Sequence, residues 1–216
     1  MNILFDGDIA CIEKPIGDIY CRKEAVMTKE LFVACYERWI KGMEPSAPET
    51  LKGIKAGDCF KWCGVDFVCL DPDYEEDGQK GIFCIVAEFF KDEQVFDGDN
   101  CNNYAESDIR RCILEEFLPK LDQTRLIAHK VDLTSDAGEK DYGFVKDKAF
   151  LISCDEYRRY REFIPKYGDW WWTCTPWSAN VGNAVSSRNV HTSGSLDANT
   201  ASHGYGASPA CIIKSI

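Results

Sequence analysis

This sequence has fewer basic than acidic residues, and long apolar runs are missing from it. Asp and Glu outnumber Lys and Arg by 36 to 25, which gives a formal net charge of −11. Because phosphate groups are bound by clustered Lys and Arg, this balance predicts that the protein does not bind nucleic acid, and an anionic membrane would repel it. No stretch approaches the roughly 20 consecutive apolar residues that cross a bilayer. We therefore expect no membrane span.

The N-terminal residues lack the basic start and the following apolar run of a secretory signal peptide. The first 18 residues, MNILFDGDIACIEKPIGD, carry acidic residues throughout. We therefore expect cytoplasmic synthesis. Retention in the cytosol, release by lysis, association with a virion and display on a surface stay open as destinations.

Familiar catalytic and nucleotide-binding motifs are absent from the sequence, which has no GxGxxG, GxxxxGK[ST], HExxH or GxSxG. His129 follows the apolar stretch RLIA, which is typical of a structural histidine, and His191 and His203 lie in a polar C-terminal segment. We predict a protein that is not an enzyme and that holds no cofactor and no metal. An enzyme that uses a cysteine or a metal is the less favoured alternative, because the many cysteines leave a Cys–His pair open.

Cysteine, by contrast, is abundant. The nearest approach to a metal motif is Cys59, Cys63 and Cys69, whose spacing is not the CxxC of zinc sites. Without a signal peptide disulfides are disfavoured, so we predict buried free thiols that pack as small hydrophobic groups, with metal ligation or disulfides as the alternative. The 12 cysteines stand at positions 11, 21, 35, 59, 63, 69, 84, 101, 112, 154, 174 and 211.

The first 45 residues are predicted to form a separate N-terminal appendage with a helix. Thr28 is suited to cap that helix, and the segment 44–50, EPSAPET, contains two prolines and is typical of a linker. The appendage could attach the protein to another chain or build a homo-oligomer, and the sequence leaves both open. The apolar residues at helical spacing are Phe32, Cys35, Tyr36, Trp39, Ile40 and Met43.

Residues 51–216 are predicted to form one α+β domain. The stretch 56–71 reads as two strands that turn at Cys63-Gly64, residues 81–90 as a further strand, and the charged stretch 71–80 between them as a solvated loop. A helix is predicted within 102–121, with Asn103 and Glu106 at capping-box spacing and with Ile109, Cys112, Ile113 and Phe117 as its apolar stripe. Ser153 and Glu156 form a second capping box, before another helix.

The C-terminal segment has an unusual composition. It consists mainly of Asn, Ser, Thr, Gly, Ala and His, yet it lies between WWW at 170–172 and the apolar ending ACIIKSI. Lys, Glu, Gln, Met and Trp make up 44 of the 216 residues (16, 16, 3, 3 and 6), but none of the five occurs from 178 to 213. A loop rich in Gly, Asn and Ser would also be poor in these residues. The gap is nevertheless long enough to need an explanation.

Three motifs from Asn103 onward carry a resemblance to a known family. NNYAESDIRRCILEEFL is similar to the family helix W-x-x-S-x-[LI]-R-x-W-L-x-x-x-F, KAFLISCDEY is similar to its strand-then-helix step, and the remainder resembles its closing unit. The family comprises bacterial and phage proteins with a domain related to the C-type lectin fold and to formylglycine-generating enzymes, and some members are variable proteins of diversity-generating retroelements. The match covers the last half of the chain well and residues 51–100 loosely. The closing-unit matches are Trp171, Trp172, Thr175, Pro176, Val190, Gly194, Leu196, Gly206, Pro209 and Ala210.

The resemblance implies a reason for the composition of the tail. In such retroelements an error-prone reverse transcriptase rewrites adenines of a template copy, and Asn codons of the AAC or AAT kind are the usual targets. Those changes cannot produce Lys, Glu, Gln, Met or Trp, the five residue types that are missing here. We therefore expect residues 177–208 to be a variable ligand-binding region on a C-type lectin-like scaffold.

The sequence departs from the family in two places. The arginine of the usual GVRP ending is absent from Gly206-Ala207-Ser208-Pro209, and Cys112 stands where the family helix has tryptophan. The Glu-Pro-Asn and Trp-Asn-Asp motifs of calcium-dependent lectins are also absent, so calcium-dependent sugar binding is not implied. No catalytic motif supports oxidase activity by analogy of fold.

We expect a recognition surface to require a division of labour between fold and contact. Trp171, Trp172, Val190, Leu196, Cys211 and Ile212 are predicted to form the core, and Gly194 and Gly206 to adopt unusual backbone angles. The partner is expected to be a protein or a glycan on a target surface, bound by a phage receptor-binding or bacterial display protein. An invariant module of a virion or cell surface is the alternative. The predicted contact residues are Trp177, Asn180, Val181, Asn183, Arg188, His191, Ser193, Asp197, Asn199, Thr200, Ser202, His203 and Tyr205.

Overall fold

The computed structural model describes residues 2–6, 9–16, 20–28, 51–180 and 182–215. Contacts divide the chain into two units, Met1–Pro45 and Ser46–Ile216. The predicted helix stripe from Phe32 to Met43 and the linker at 44–50 lie outside the described residues, as does the predicted contact residue Val181.

The N-terminal unit contains an antiparallel sheet of three strands, β1 (Asn2–Asp6), β2 (Ile9–Ile16) and β3 (Tyr20–Thr28). The order is β1-β2-β3, so each strand pairs with the next one along the chain. Only a helix was expected in this unit, and these strands were not predicted.

The second unit is built from sheets with few helices, which confirms the α+β class. A six-stranded sheet has the order β11-β16-β6-β5-β4 with β8 paired to β16, a five-stranded sheet has the order β14-β13-β12-β15-β7, and β9 pairs with β10. No helix among the described residues is long and apolar enough to span a membrane. The strands are β4 (Cys59–Trp62), β5 (Val65–Glu76), β6 (Gln79–Val86), β7 (Lys91–Val95), β8 (Leu126–Ile127), β9 (His129–Asp132), β10 (Phe144–Asp147), β11 (Ala149–Phe150), β12 (Trp171–Pro176), β13 (Ser186–Val190), β14 (Leu196–Thr200), β15 (Gly204–Ala207) and β16 (Ala210–Lys214).

Two tight hairpins shape the six-stranded sheet. The predicted turn at Cys63-Gly64 is confirmed, with φ of 50° and 78° at its two residues. The predicted loop at 71–80 is wrong, because β5 continues to Glu76 and β6 begins at Gln79. Only Asp77 and Gly78 turn there, with φ of 50° and 76°. A two-residue type I′ turn needs positive φ at both positions, and Asp-Gly is a preferred sequence for it.

The predicted helix within 102–121 is present as a series of short turns. Asn103 caps a 3₁₀ turn (Tyr104–Glu106), and Ser107 caps helix α1 (Asp108–Cys112) by accepting from the backbone N–H of Arg110. A π turn (Ile113–Phe117) and two 3₁₀ turns (Leu118–Lys120 and Gln123–Arg125) follow. The predicted apolar stripe is nevertheless confirmed, because all four of its residues are buried.

Helix α2 (Cys154–Tyr160) begins as the sequence predicts. The Ser153 side chain accepts from the backbone N–H of Glu156, and the Glu156 carboxylate accepts from the backbone N–H of Ser153 at 2.7 Å. This reciprocal capping satisfies two helix-end donors. It also fixes the position of the Glu156 carboxylate, which makes a second contact inside the domain.

That second contact is with His129, which is buried between two carboxylates. Its Nδ1 lies 2.9 Å from Glu76 and its Nε2 lies 3.0 Å from Glu156, while the Tyr74 hydroxyl donates to Glu76 at 3.0 Å. Glu76, expected in a solvated loop, is therefore part of a buried ion-pair cluster that joins β5 to α2. Burial lowers the pKa of His129, but the two carboxylates outweigh burial and raise the pKa overall.

The nine cysteines from Cys59 to Cys211 are free thiols. Six of them are buried, as predicted for small hydrophobic groups: Cys69, Cys84, Cys112, Cys154, Cys174 and Cys211. The prediction is wrong for Cys59, which is exposed, and for Cys63 and Cys101, which are half-buried. Burial is the main cause that raises the pKa of Cys69 to about 12, so this thiol stays protonated at neutral pH.

The His129 cluster predicts a pH dependence of stability. A histidine pKa that is higher in the folded state stabilises the fold below the unfolded value of about 6.5, and that stability is lost as pH rises through the folded pKa. The His129→Gln variant cannot gain this stability, so its deficit in unfolding free energy should be larger at about pH 6 than at about pH 9. Urea unfolding of both proteins across this range measures the difference. Parallel pH profiles would contradict the assignment.

Candidate functional site

The centre of the five-stranded sheet is β12, whose six residues are all buried. It lies between β13 and β15 and pairs with both of these strands, which belong to the C-terminal segment. Successive residues of a strand face opposite sides of the sheet. Trp171 accordingly packs edge-on against Tyr157 and Tyr167, at ring distances of 5.7 and 5.5 Å.

Trp172 faces the other side of the sheet. Its ring lies 5.5 Å from Phe96 and 4.8 Å from Tyr205, and its Nε1 donates to the carbonyl of Gln94 at 2.9 Å. The predicted core is thus confirmed for Trp171, Trp172, Val190, Cys211 and Ile212. Leu196 is the exception, since it is only half-buried against the core at the first residue of the edge strand β14.

Tyr205 is the centre of an aromatic group that we call the Tyr205 cluster, formed by Trp170, His191, His203 and Tyr205. The Tyr205 ring stacks on Trp170 at 5.3 Å and on His203 at 6.1 Å, and His191 meets Trp170 edge-on at 4.4 Å. His203 is exposed, and the other three are half-buried. The structure therefore brings together three predicted contact residues on one aromatic surface.

Polar residues of β14 border the Tyr205 cluster. Asp197 is exposed and Asn199 is half-buried. The pKa of Tyr205 is raised, first by burial and then by the charge of Asp197, while a hydrogen bond from Asn199 lowers it. Thr200 adds a hydroxyl whose Oγ1 lies 2.5 Å from Nδ1 of His203. An acidic, an amide and a hydroxyl group thus surround the rings.

Two polar residues of β13 behave differently from the rest of the segment. Ser187 and Asn189 pair with Asn199 and Asp197 across the ladder, yet both are fully buried. The Ser187 hydroxyl donates to the carbonyl of Thr175 at 3.1 Å, whereas the Asn189 amide has no hydrogen-bond partner among the described residues. A buried amide without a partner costs about 1–3 kcal/mol. These two positions belong to the interior, although their residue types suggest a surface.

A second group of predicted residues lies on the opposite side of β13. Arg188 alternates with Asn189, its guanidinium lies 5.1 Å above the ring centre of Trp177, and its Nε lies 3.6 Å from Asp136. Trp177 is 47% exposed. The exposed Asn180 donates its amide N–H to Glu139.

The 13 predicted contact residues therefore do not form one surface. Trp177, Asn180 and Arg188 are separate from the Tyr205 cluster, and Asn183 is exposed in the loop that precedes β13. Ser193 and Ser202 are exposed in the turns before β14 and β15. The alternation of side chains along β13 is the reason for this division.

The two glycines have different roles from each other. Gly194 has φ of +79°, as predicted for an unusual backbone angle, and its carbonyl accepts from the Tyr157 hydroxyl at 2.8 Å. The prediction is wrong for Gly206, whose φ is not positive. A Cβ at Gly206 would lie 2.5 Å from the Phe89 ring, so close packing is what requires glycine there.

Sequence reasoning overlooked two features of the surface. Trp170 was not among the predicted contact residues, but it is half-buried and stacks on Tyr205. It directly precedes β12, and it lies against the same Tyr205 ring as Trp172, two residues further on. The second feature is a cleft of about 320 Å³ between the segment after α2 and the turn that joins β13 to β14.

No family model, curated protein or solved structure matches this chain. The lectin-like fold and the relation to retroelement proteins depend on the sequence motifs alone.

Serine-to-tyrosine substitution is predicted to have a small effect at an exposed serine and a large destabilising effect at a buried serine of the same segment. Ser202→Tyr adds a ring at an exposed turn and should change the unfolding free energy by no more than about 0.5 kcal/mol. Ser187→Tyr forces a ring into a filled interior and should cost about 2 kcal/mol or more, or prevent folding. Chemical denaturation of both variants measures the difference. Equal costs at the two positions would contradict the separation.

Proposed function

We propose that this protein is a hypervariable ligand-binding protein, with a C-type lectin-like scaffold and a C-terminal region that a diversity-generating retroelement rewrites. One observation carries the proposal. The segment from 178 to 213, which lacks Lys, Glu, Gln, Met and Trp, is held in strands β13–β16 rather than in a loose loop. A disordered linker of the same composition would not have supported binding.

The proposal needs a backbone whose stability does not depend on the exposed side chains. β13 is paired on both sides, to β12 and β14, and β15 is paired to β12 and β7. Val190, Gly206 and Ala207 are buried in these strands, whereas Asn183, Ser193 and Ser202 are exposed in the connecting turns. Exposed positions of this kind usually tolerate substitution within about 0.5 kcal/mol. Diversity could therefore accumulate in the turns without unfolding the domain.

The Tyr205 cluster is a better candidate for the main contact surface than the separate group of Trp177, Asn180 and Arg188. Aromatic rings supply large contact areas at a small entropic cost, and such residues commonly dominate binding energy. Tyr205 and Trp170 are already packed against each other, so little ordering is needed on binding. Trp177, which is exposed beside Arg188, would add a second contact point on the other side of the sheet. The partner would be a protein or glycan on a target surface.

A binding role rather than catalysis agrees with the state of His129. Both of its ring nitrogens are engaged by carboxylates, so neither is free to take a proton from a substrate. Among the described residues, no group of three His, Cys, Asp or Glu side chains is arranged to hold a metal ion.

Sequencing of the locus tests the proposal. We expect a near-copy of the DNA that encodes residues 177–208, differing at adenines, beside a reverse transcriptase gene. Among isolates, Asn183, Ser193 and Ser202 should vary, while Ser187 and Asn189 should stay constant because they are buried. A locus without such a copy would rule out diversification. An invariant segment among isolates would favour the alternative, a constant binding module of a virion or cell surface.

A further inference from the structure

The geometry points to the cleft beside Gly194 as a binding site for an acidic saccharide, anchored by Arg161 and Lys166. This inference rests on the proposed ligand-binding function and names a ligand class for one part of its surface. The cleft has three properties that favour such a ligand: its charge, its walls and its rigid position.

The charge of the cleft is opposite to that of the protein as a whole. Arg161, Lys166 and His191 line it, and none of its lining residues is Asp or Glu. Within the described part of the chain, neither Arg161 nor Lys166 forms an ion pair, although the protein has an excess of acidic residues and a net charge of −11. A cleft that presents unpaired cations and no carboxylate is complementary to an anionic group.

The walls of the cleft suit a sugar ring better than a bare anion. Ile164, Pro165 and the buried Trp171 and Val190 supply apolar surface, and exposed Thr192 and Ser193 supply hydroxyl groups. Binding pockets for small molecules combine such apolar walls with a few polar groups, and about 300 Å³ is the lower end of their range. At about 320 Å³, the cleft would hold one or two sugar rings and would not accept a folded surface.

The cleft is held in place by the scaffold. The Tyr157 hydroxyl donates to the carbonyl of Gly194 at 2.8 Å, which ties α2 to the turn between β13 and β14. Arg161 lies over the Tyr157 ring at 5.8 Å, and a Cβ at Gly194 would lie 3.2 Å from its Nη2. The absence of a Cβ at Gly194 thus lets the turn approach the arginine closely.

The site joins constant and variable positions. Arg161 and Lys166 precede the segment 177–208, whereas His191, Thr192 and Ser193 lie within it. His191 also touches Trp170, so the cleft borders the Tyr205 cluster. The acidic group would be bound by constant residues, and the variable wall would select among saccharides that carry it.

Calorimetric titration of the full chain tests this inference with five probes: 3′-sialyllactose, a sulfated heparin disaccharide, neutral lactose, inorganic sulfate and tetraglutamate. We expect one or both acidic saccharides to bind at least about tenfold more tightly than the other three probes. The two acidic saccharides separate a carboxylate from a sulfate ester as the preferred group.

Two double variants of equal charge isolate the role of the cleft. Arg161→Ala/Lys166→Ala and the control Lys52→Ala/Lys80→Ala, at exposed positions outside the cleft, each change the net charge from −11 to −13. The first should weaken binding of the acidic saccharide by at least about tenfold, and the control by less than about twofold. Thermal unfolding of each variant verifies that the fold is intact, and the single Lys166→Ala variant replaces the first one if it is not.

Several results would overturn the inference. They are equal affinity for lactose, tighter binding of tetraglutamate or of sulfate alone, equal weakening in the control, and no binding of either acidic saccharide at about 10 mM. Sequencing of the locus is independent of all of these measurements. A diversified locus together with a cleft that binds no acidic saccharide would reject the ligand class and keep the proposed function.

Discussion

The burial of β12 on both faces is the constraint on which the C-terminal half of the structure depends. Trp171 packs under the tyrosines of α2 and its neighbouring segment, and Trp172 packs against Phe96 on the other side. Each large side chain removed from water contributes about 1.5–3 kcal/mol, and the strand also fixes two neighbours by its hydrogen-bond ladder. β13 and β15 are therefore held by a strand that precedes the polar segment. Their exposed polar residues need not contribute to a core.

The sequence correctly predicted those elements whose local signals are consistent with the burial of their residues in the fold. The capping box at Ser153 and the turn at Cys63-Gly64 are short-range signals that tertiary packing did not override. The hairpin at 71–80 was not predicted, because its acidic residues were given more weight than the Asp77-Gly78 turn sequence. Glu76 forms an ion pair with His129, and no local sequence pattern reveals that contact. Asn189 was missed for the same kind of reason, since only the assembled sheet shows that an amide is enclosed.

The candidate contact residues illustrate what spacing alone cannot supply. They were chosen by residue type within the polar C-terminal segment, and Ser193 and Ser202 lie exposed in its turns. Which residues share a face depends on strand register, and Arg188 and Asn189 are neighbours in sequence that point to opposite sides. Trp170 needed the same information, because it touches Tyr205 across a parallel strand pair that brings residues far apart in sequence together.

The C-terminal segment carries little positive charge. Residues of the segment 178–213 include only one cation apart from histidine, Arg188, and it is already engaged by Trp177 and Asp136. Lysine cannot arise there if adenine substitution is the source of variation. Arg161 and Lys166 precede this segment and lie beside the turn between β13 and β14, so they place positive charge next to a segment that has little of its own. Under the proposed function, constant residues would supply electrostatic affinity, while the turn would supply the shape and the hydrogen bonds that decide specificity.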